Sequence, residues 1–304
     1  MILGIDVSTY LEELEHGAVY LDGGKPIDPL DAFVANGVDH MRIRIWNDPK
    51  GQRGEPYLAG SCDLDHYIRL GRLAKSKGYR LMMDLHYSDF WADPGKQMIP
   101  KAWQAYDLPT MANAVYEFTK DCLLRAAAAD VSPAYIQVGN EITNGILWPM
   151  GKLEQPDGSR GNYETFIQLV GAGCRACRRF GKEQMIVELG YGFTTEAYSL
   201  DGASQRLVID ADRAYVPGFT ESYPVTPEGQ AAFIRSILHR ARQEGISGVF
   251  YWEPLWLPGE GICWASEAGQ AYIHEEGKST TNEWANHCLF DYDGNKLPGV
   301  EAFA

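Results

Sequence analysis

No stretch of this chain approaches the ~20 consecutive apolar residues that a membrane-spanning helix needs. Basic residues are scarce: 27 Lys and Arg stand against 41 Asp and Glu, and the net charge of -14 comes with no basic cluster. That balance argues against a phosphate-rich partner such as nucleic acid. Six cysteines in 304 residues are too few and too scattered for a disulfide framework. The opening MILGIDVS lacks the basic start, apolar core and small-residue cleavage site of a leader, so a soluble chain is expected, cytoplasmic or supplied without its leader. Repeats, low-complexity tracts and linkers are also missing, and residues 1–304 therefore read as one domain, large enough to bury a sizeable core.

What is present is an alternation of short strand-like and longer helix-like stretches. Strands are expected at 2–7, 40–46, 79–86, 135–138, 185–189 and 248–252, each rich in β-branched or aromatic residues and bounded by polar or Gly/Pro segments. Helices are expected at 29–36, 63–77, 109–129, 162–180 and 227–244, the last opening on an N-cap Thr226 followed by Pro227. Strands with nearly continuous apolar runs, each followed by a helix, point to a parallel sheet covered by helices. In the fourth of these helices Phe166, Ile167, Val170, Cys174 and Cys177 share a face, which favours core thiols over a metal or redox pair.

In such folds the chemistry gathers at the C-terminal ends of the strands. Here those ends carry Arg44 and Trp46, then His86, Asp89 and Trp91, then Asn140 and Glu141, then Glu188, then Trp252 and Trp256. Indole faces beside carboxylates suit a sugar ring, whose C–H face packs on the aromatic while its hydroxyls need fixed polar partners. Plugging the mouth of the fold is the plainer use of the same aromatics. Two strand-end glutamates meet the needs of glycoside hydrolysis, one protonated to donate to the leaving oxygen and one ionised to attack or to activate water. A lone strand-end Glu would more often be an ion pair or a cap; the pair beside His and Trp favours the catalytic reading. Arg44 is the nearest plausible cation for Glu188. His86 with Asp89 reads as a sugar-binding and scaffold pair, because no third or fourth zinc ligand accompanies them. No catalytic metal is expected. Asp291-Tyr292-Asp293-Gly294-Asn295 spaces oxygen ligands as a calcium loop does but lacks the closing acid, and reads equally as a turn.

The segments GIDVS (4–8), RIRIWNDP (42–49), DLHYSDFWADPGKQ (84–97), IQVGNEITNGILWPMG (136–151), IVELGYGFT (186–194), GVFYWEPLW (248–256) and LFDYDGNKLPGVEAF (289–303) resemble, in order and over nearly the entire chain, the family 53 glycoside hydrolases, the arabinogalactan endo-β-1,4-galactanases. The resemblance implies a (β/α)8 TIM barrel and retaining hydrolysis of β-1,4-galactan in pectin. Glu141 would be the acid/base, Glu188 the nucleophile and Arg44 the cation that keeps Glu188 ionised. His86, Asn140 and Trp252 would line the subsite on the non-reducing side of the cut, with Trp91 and Trp256 stacking on neighbouring galactose units. It also implies a structural calcium in some relatives and a usually secreted family.

One departure stands out. Only 47 positions separate Glu141 from Glu188, leaving no room for the two strand–helix units that the family places there, so about six units are expected where the family has eight. Eight strands close a barrel that side chains just fill, whereas six leave an open edge or need a different stagger. Re-closure after a deletion, an open edge covered by a second copy in a homodimer, and a lost segment of the sequence all fit. Two function classes follow: a retaining endo-galactanase, and a non-catalytic or impaired galactan-binding relative. A same-clan glycosidase acting on mannan or glucan is a third reading.

Overall fold

Each expected strand and helix is found, with ends shifted by at most three residues. In the computed structural model the described residues are 1–153, 163–178, 186–196, 198, 223–243, 247–275, 282 and 284–304, with backbone alone for 186–189. In chain order the elements are β1 (Ile2–Asp6), α1 (Tyr10–Glu15), β2 (Tyr20–Asp22), β3 (Lys25–Ile27), α2 (Pro29–Ala35), β4 (His40–Ile45), α3 (Leu64–Ser76), β5 (Arg80–Leu85), α4 (Leu108–Ala128), β6 (Tyr135–Val138), β7 (Gly145–Ile146), β8 (Gly151–Lys152), α5 (Tyr163–Cys177), β9 (Ile186–Leu189), α6 (Pro227–Gln243), β10 (Gly248–Trp252) and α7 (Glu267–Tyr272). Helix starts follow local chemistry: Asp28, Asp63 and Asp107 accept backbone N–H groups of the first turns of α2, α3 and α4, and Thr226 Oγ1 accepts from Gly229 N at 3.1 Å.

Six strands form one parallel sheet in the order β6-β5-β4-β1-β10-β9. The last strand of the chain returns beside the first, as in a (β/α)8 barrel, and the architecture is that barrel shortened to six strands among the described residues. Side chains alternate along each strand. Leu3, Ile5, Met41, Ile43, Leu81, Met83 and Val249 join the helices in the main apolar core. The other face carries Asp6, Arg42, Arg44 and Asp84, so the strands are not the continuous apolar runs expected but apolar toward the helices and polar inside. Gly4 lies on that inner face, where a Cβ would overlap the Phe250 ring from β10.

The outermost strands are β6 and β9, and each has no strand partner on its far side among the described residues. All four residues of β6 are half-buried, unlike the wholly buried β4. An inner barrel strand is covered on both sides by its neighbours; among the described residues β6 has a strand on one side. The face expected on α5 needs correcting as well. Its buried stripe is Thr165, Leu169, Ala172 and Gly173, while Ile167 and Cys174 are exposed and Cys177 half-buried. The buried stripe faces inward because Leu169 reaches Gly151 of the β7–β8 hairpin and Gly173 lies against Tyr87 and Val138, while Phe166, Val170 and Cys177 are partly buried against the core.

Candidate active site

Three strands hand over to their loops through non-glycine residues in the left-handed region: Tyr87 (φ 52°) after β5, Glu141 (φ 46°) after β6 and Glu253 (φ 45°) after β10. Such backbone costs on the order of 1 kcal/mol or more per residue and persists only where the surroundings enforce it. Around Glu141 the enforcement is visible. Gln97 Nε2 donates to Asn140 O at 2.9 Å, Gly139 N to Leu85 O at 2.9 Å, and Asn140 Nδ2 to Ala92 O at 2.8 Å. These turns surround a cleft of about 450 Å³ lined by Arg42, Arg44, His86, Trp91, Asp93, Lys96, Asn140, Glu141, Trp252, Trp264, Glu275 and Trp284.

Below the cleft lies a charged lattice. Arg42 reaches Asp6 at 2.6 Å, Asp84 at 2.8 Å and Asn140 Oδ1 at 2.9 Å. Burial works against the Asp84 carboxylate, but Arg42 and His86 outweigh it and hold its pKa below the usual range. His86 Nδ1 accepts from Trp46 Nε1 at 3.2 Å and from Ala92 N at 3.3 Å, so its proton sits on Nε2 and is donated to Asp84 at 3.0 Å. Both ring nitrogens are thus taken up by protein. His86 presents a ring edge to the cleft, and its acid is Asp84, not Asp89, which instead accepts from Asp48 N and Lys101 N. Asn140 spends its carbonyl on Arg42 and Gln137 and one amide N–H on Ala92, leaving a second N–H for a ligand.

Among the described residues, Glu141 differs from the other acids lining the cleft. Its carboxyl is exposed to the cleft and makes no hydrogen bond, and partial burial followed by the Asp93 charge raises its pKa against the pull of Arg42 and Lys96. An unpaired acid that holds its proton beyond the ordinary carboxylate range is suited to proton donation. Glu188 lies in β9 in register with Phe250 of β10, an inner-face position; its side chain lies outside the described residues.

Two expectations change. Arg44 is engaged by Glu253: its Nη1 is 2.5 Å from that carboxylate, its Nη2 donates to Ala59 O at 2.9 Å, and its guanidinium lies 4.3 Å over the Trp91 ring, while the side chain of its expected partner Glu188 lies outside the described residues. Its buried Nε makes no hydrogen bond among the described residues. Trp256 is 0% exposed and lies behind the cleft wall, stacked on Trp91 and Trp284, so it cannot touch a sugar. Trp91 and Trp252 do line the cleft, joined by Trp264 and Trp284, which sequence reasoning passed over because they follow no strand end. Glu253 was missed likewise, although it directly follows a strand. The Asp291–Asn295 stretch is a turn in which Asp291 Oδ1 accepts from Asp293 N and Asn295 N. Among the described residues no three His, Cys, Asp or Glu converge as metal ligands.

The profile of Glycosyl hydrolase family 53 matches residues 2–180 and 175–303. The chain belongs to glycosyl hydrolase family 53. It is similar to the endo-beta-1,4-galactanase of Bacillus subtilis strain 168, at 29% identity with 99% of this chain and 85% of that protein covered. A probable arabinogalactan endo-beta-1,4-galactanase A of Aspergillus terreus is 28% identical, with 85% and 87% covered. The Ignisphaera aggregans GH53 catalytic domain superposes with a TM-score of 0.84 at 28% identity, covering 99% of this chain and 95% of that one. This family 53 member is therefore a glycoside hydrolase. Its two matched stretches meet at 175–180, at the end of α5 and before β9, the interval too short for further strand–helix units.

Proposed function

We propose that this glycoside hydrolase is a retaining endo-β-1,4-galactanase working by double displacement. Glu188 attacks the anomeric carbon while Glu141 protonates the departing glycosidic oxygen; Glu141 then takes a proton from water, which displaces Glu188. The observation that carries the reading is the free carboxyl of Glu141, raised in pKa and open to an indole-lined cleft. The choice of galactan rests on the activities named for the Bacillus and Aspergillus relatives. The second Asn140 N–H is a donor for a sugar hydroxyl, with Trp91 and Trp252 as faces for the ring.

Reducing-sugar release from β-1,4-galactan tests this directly. Glu188→Gln is expected to lose activity by several orders of magnitude while staying folded, and Glu141→Gln to lose it chiefly on substrates with poor leaving groups. Proton NMR of the first-formed anomer should show the β configuration. Equal release by the native chain and Glu188→Gln, or an α product, would sink the proposal. The half-buried β6, with a strand on one side only among the described residues, favours a second reading: a galactan binder with impaired turnover. Retention on a galactan affinity gel without sugar release would select it, and release from mannan or glucan in preference to galactan would point to another glycosidase of the clan.

A further inference from the structure

Lys96 lies in a turn closed by Asp93 N to Lys96 O at 2.8 Å and Lys96 N to Asp93 O at 3.1 Å, with Asp93 Oδ1 accepting from Gly95 N at 2.7 Å. Its ammonium, only 20% exposed, bonds Asp93 Oδ2 at 2.8 Å and Glu275 Oε1 at 2.6 Å. Asp93 belongs to the loop after β5 and Glu275 to the segment after α7, so Lys96 ties together two loops where all three residues line the cleft. The next residue, Gln97, is buried and ties this turn to the backbone of Asn140 and Glu141. One short run thus fixes both the place of Glu141 and the charges that face it.

We propose that Lys96 is a positioning residue for Glu141: it clasps Asp93 and Glu275 at the edge of the cleft and offsets the negative charge that Asp93 sets against Glu141. The inference deepens the glycosidase reading and rests on it only for its kinetic consequence. Among the described residues, Asp93 and Asp84 disfavour the ionised form of Glu141, whereas Arg42 and Lys96 favour it. Removing the Lys96 charge leaves the acids opposing ionisation less compensated. The proton is then held to higher pH.

The test titrates Glu141 itself and follows kinetics in parallel. Carboxyl-13C glutamate NMR, with the Glu141 signal assigned by its loss in Glu141→Gln, is recorded across pH for the native chain, Lys96→Met, Lys96→Arg and Asp93→Asn. In Lys96→Met the midpoint should rise by about half to one pH unit, and the alkaline limb of kcat/KM on galactan should rise with it. Lys96→Arg should stay near native, and Asp93→Asn should move the midpoint down. A Glu141 titration unmoved in Lys96→Met, with Lys96→Arg and Asp93→Asn equally unmoved, overturns the assignment. A native chain that releases no sugar while its Glu141 signal shifts as stated refutes the catalytic proposal and leaves the role of Lys96 standing.

Discussion

Arg44 and Glu253 show how far a single side chain's fate lies from its neighbours in sequence. Both are buried, 209 positions apart, and Thr9 Oγ1 adds a second donor to Glu253 at 2.8 Å. Removing one partner of such a pair strands the other without compensation, which costs about 3–5 kcal/mol. Arg44→Met should therefore lower the unfolding free energy measured in urea by that amount, and Arg44→Met/Glu253→Met should recover much of it. Equal stability of native and Arg44→Met would mean that the pair contributes nothing. Glu141 could be picked out from sequence because its neighbours Asn140 and the strand before it are local. The partner of Arg44 could not, because burial of Glu253 depends on α1, β4 and β10 meeting.

Strands and helices were the most readable level. Runs of β-branched and aromatic residues and the Thr226 cap depend on residues within a few positions, so most ends fall within one or two residues of expectation. The β2–β3 hairpin was passed over although Gly23 and Gly24, at φ 56° and 74°, supply the turn that two-residue hairpins favour. Packing between elements was not readable. Gly4 is required because Phe250 fills the space above it, so Gly4→Ala is expected to lose about 1–3 kcal/mol by overpacking. Gly4→Ala/Phe250→Leu should regain part of that in thermal melts, whereas equal melts for both variants would refute the contact.

Taken over all 304 residues, an acidic chain buries several of its acids. Burial pushes Glu12 up from 4.5 to about 7, against the Gly60 N–H that it accepts. Its pKa is higher folded than unfolded, so the native state keeps a proton that the unfolded chain releases between these values. Stability from this group is then complete below pH 4.5 and declines as pH rises through 7. His66, pushed down to about 4 by burial, works in the opposite sense. The difference between native and Glu12→Gln isolates Glu12: denaturation from pH 5 to 8 should show the native chain losing up to about 3 kcal/mol relative to the variant. Parallel curves would sink this.

Sequence alone settled where the strands and helices lie, that polar and aromatic residues collect at the strand ends, and that only about six units fit, since all of these are contiguous patterns. Only the folded arrangement decided that Arg44 serves Glu253, that Trp256 lies behind the cleft while Trp264 and Trp284 line it, and that Lys96 bridges two loops. Those outcomes depend on burial and on contacts between distant segments, and neither has a signature in a linear chain.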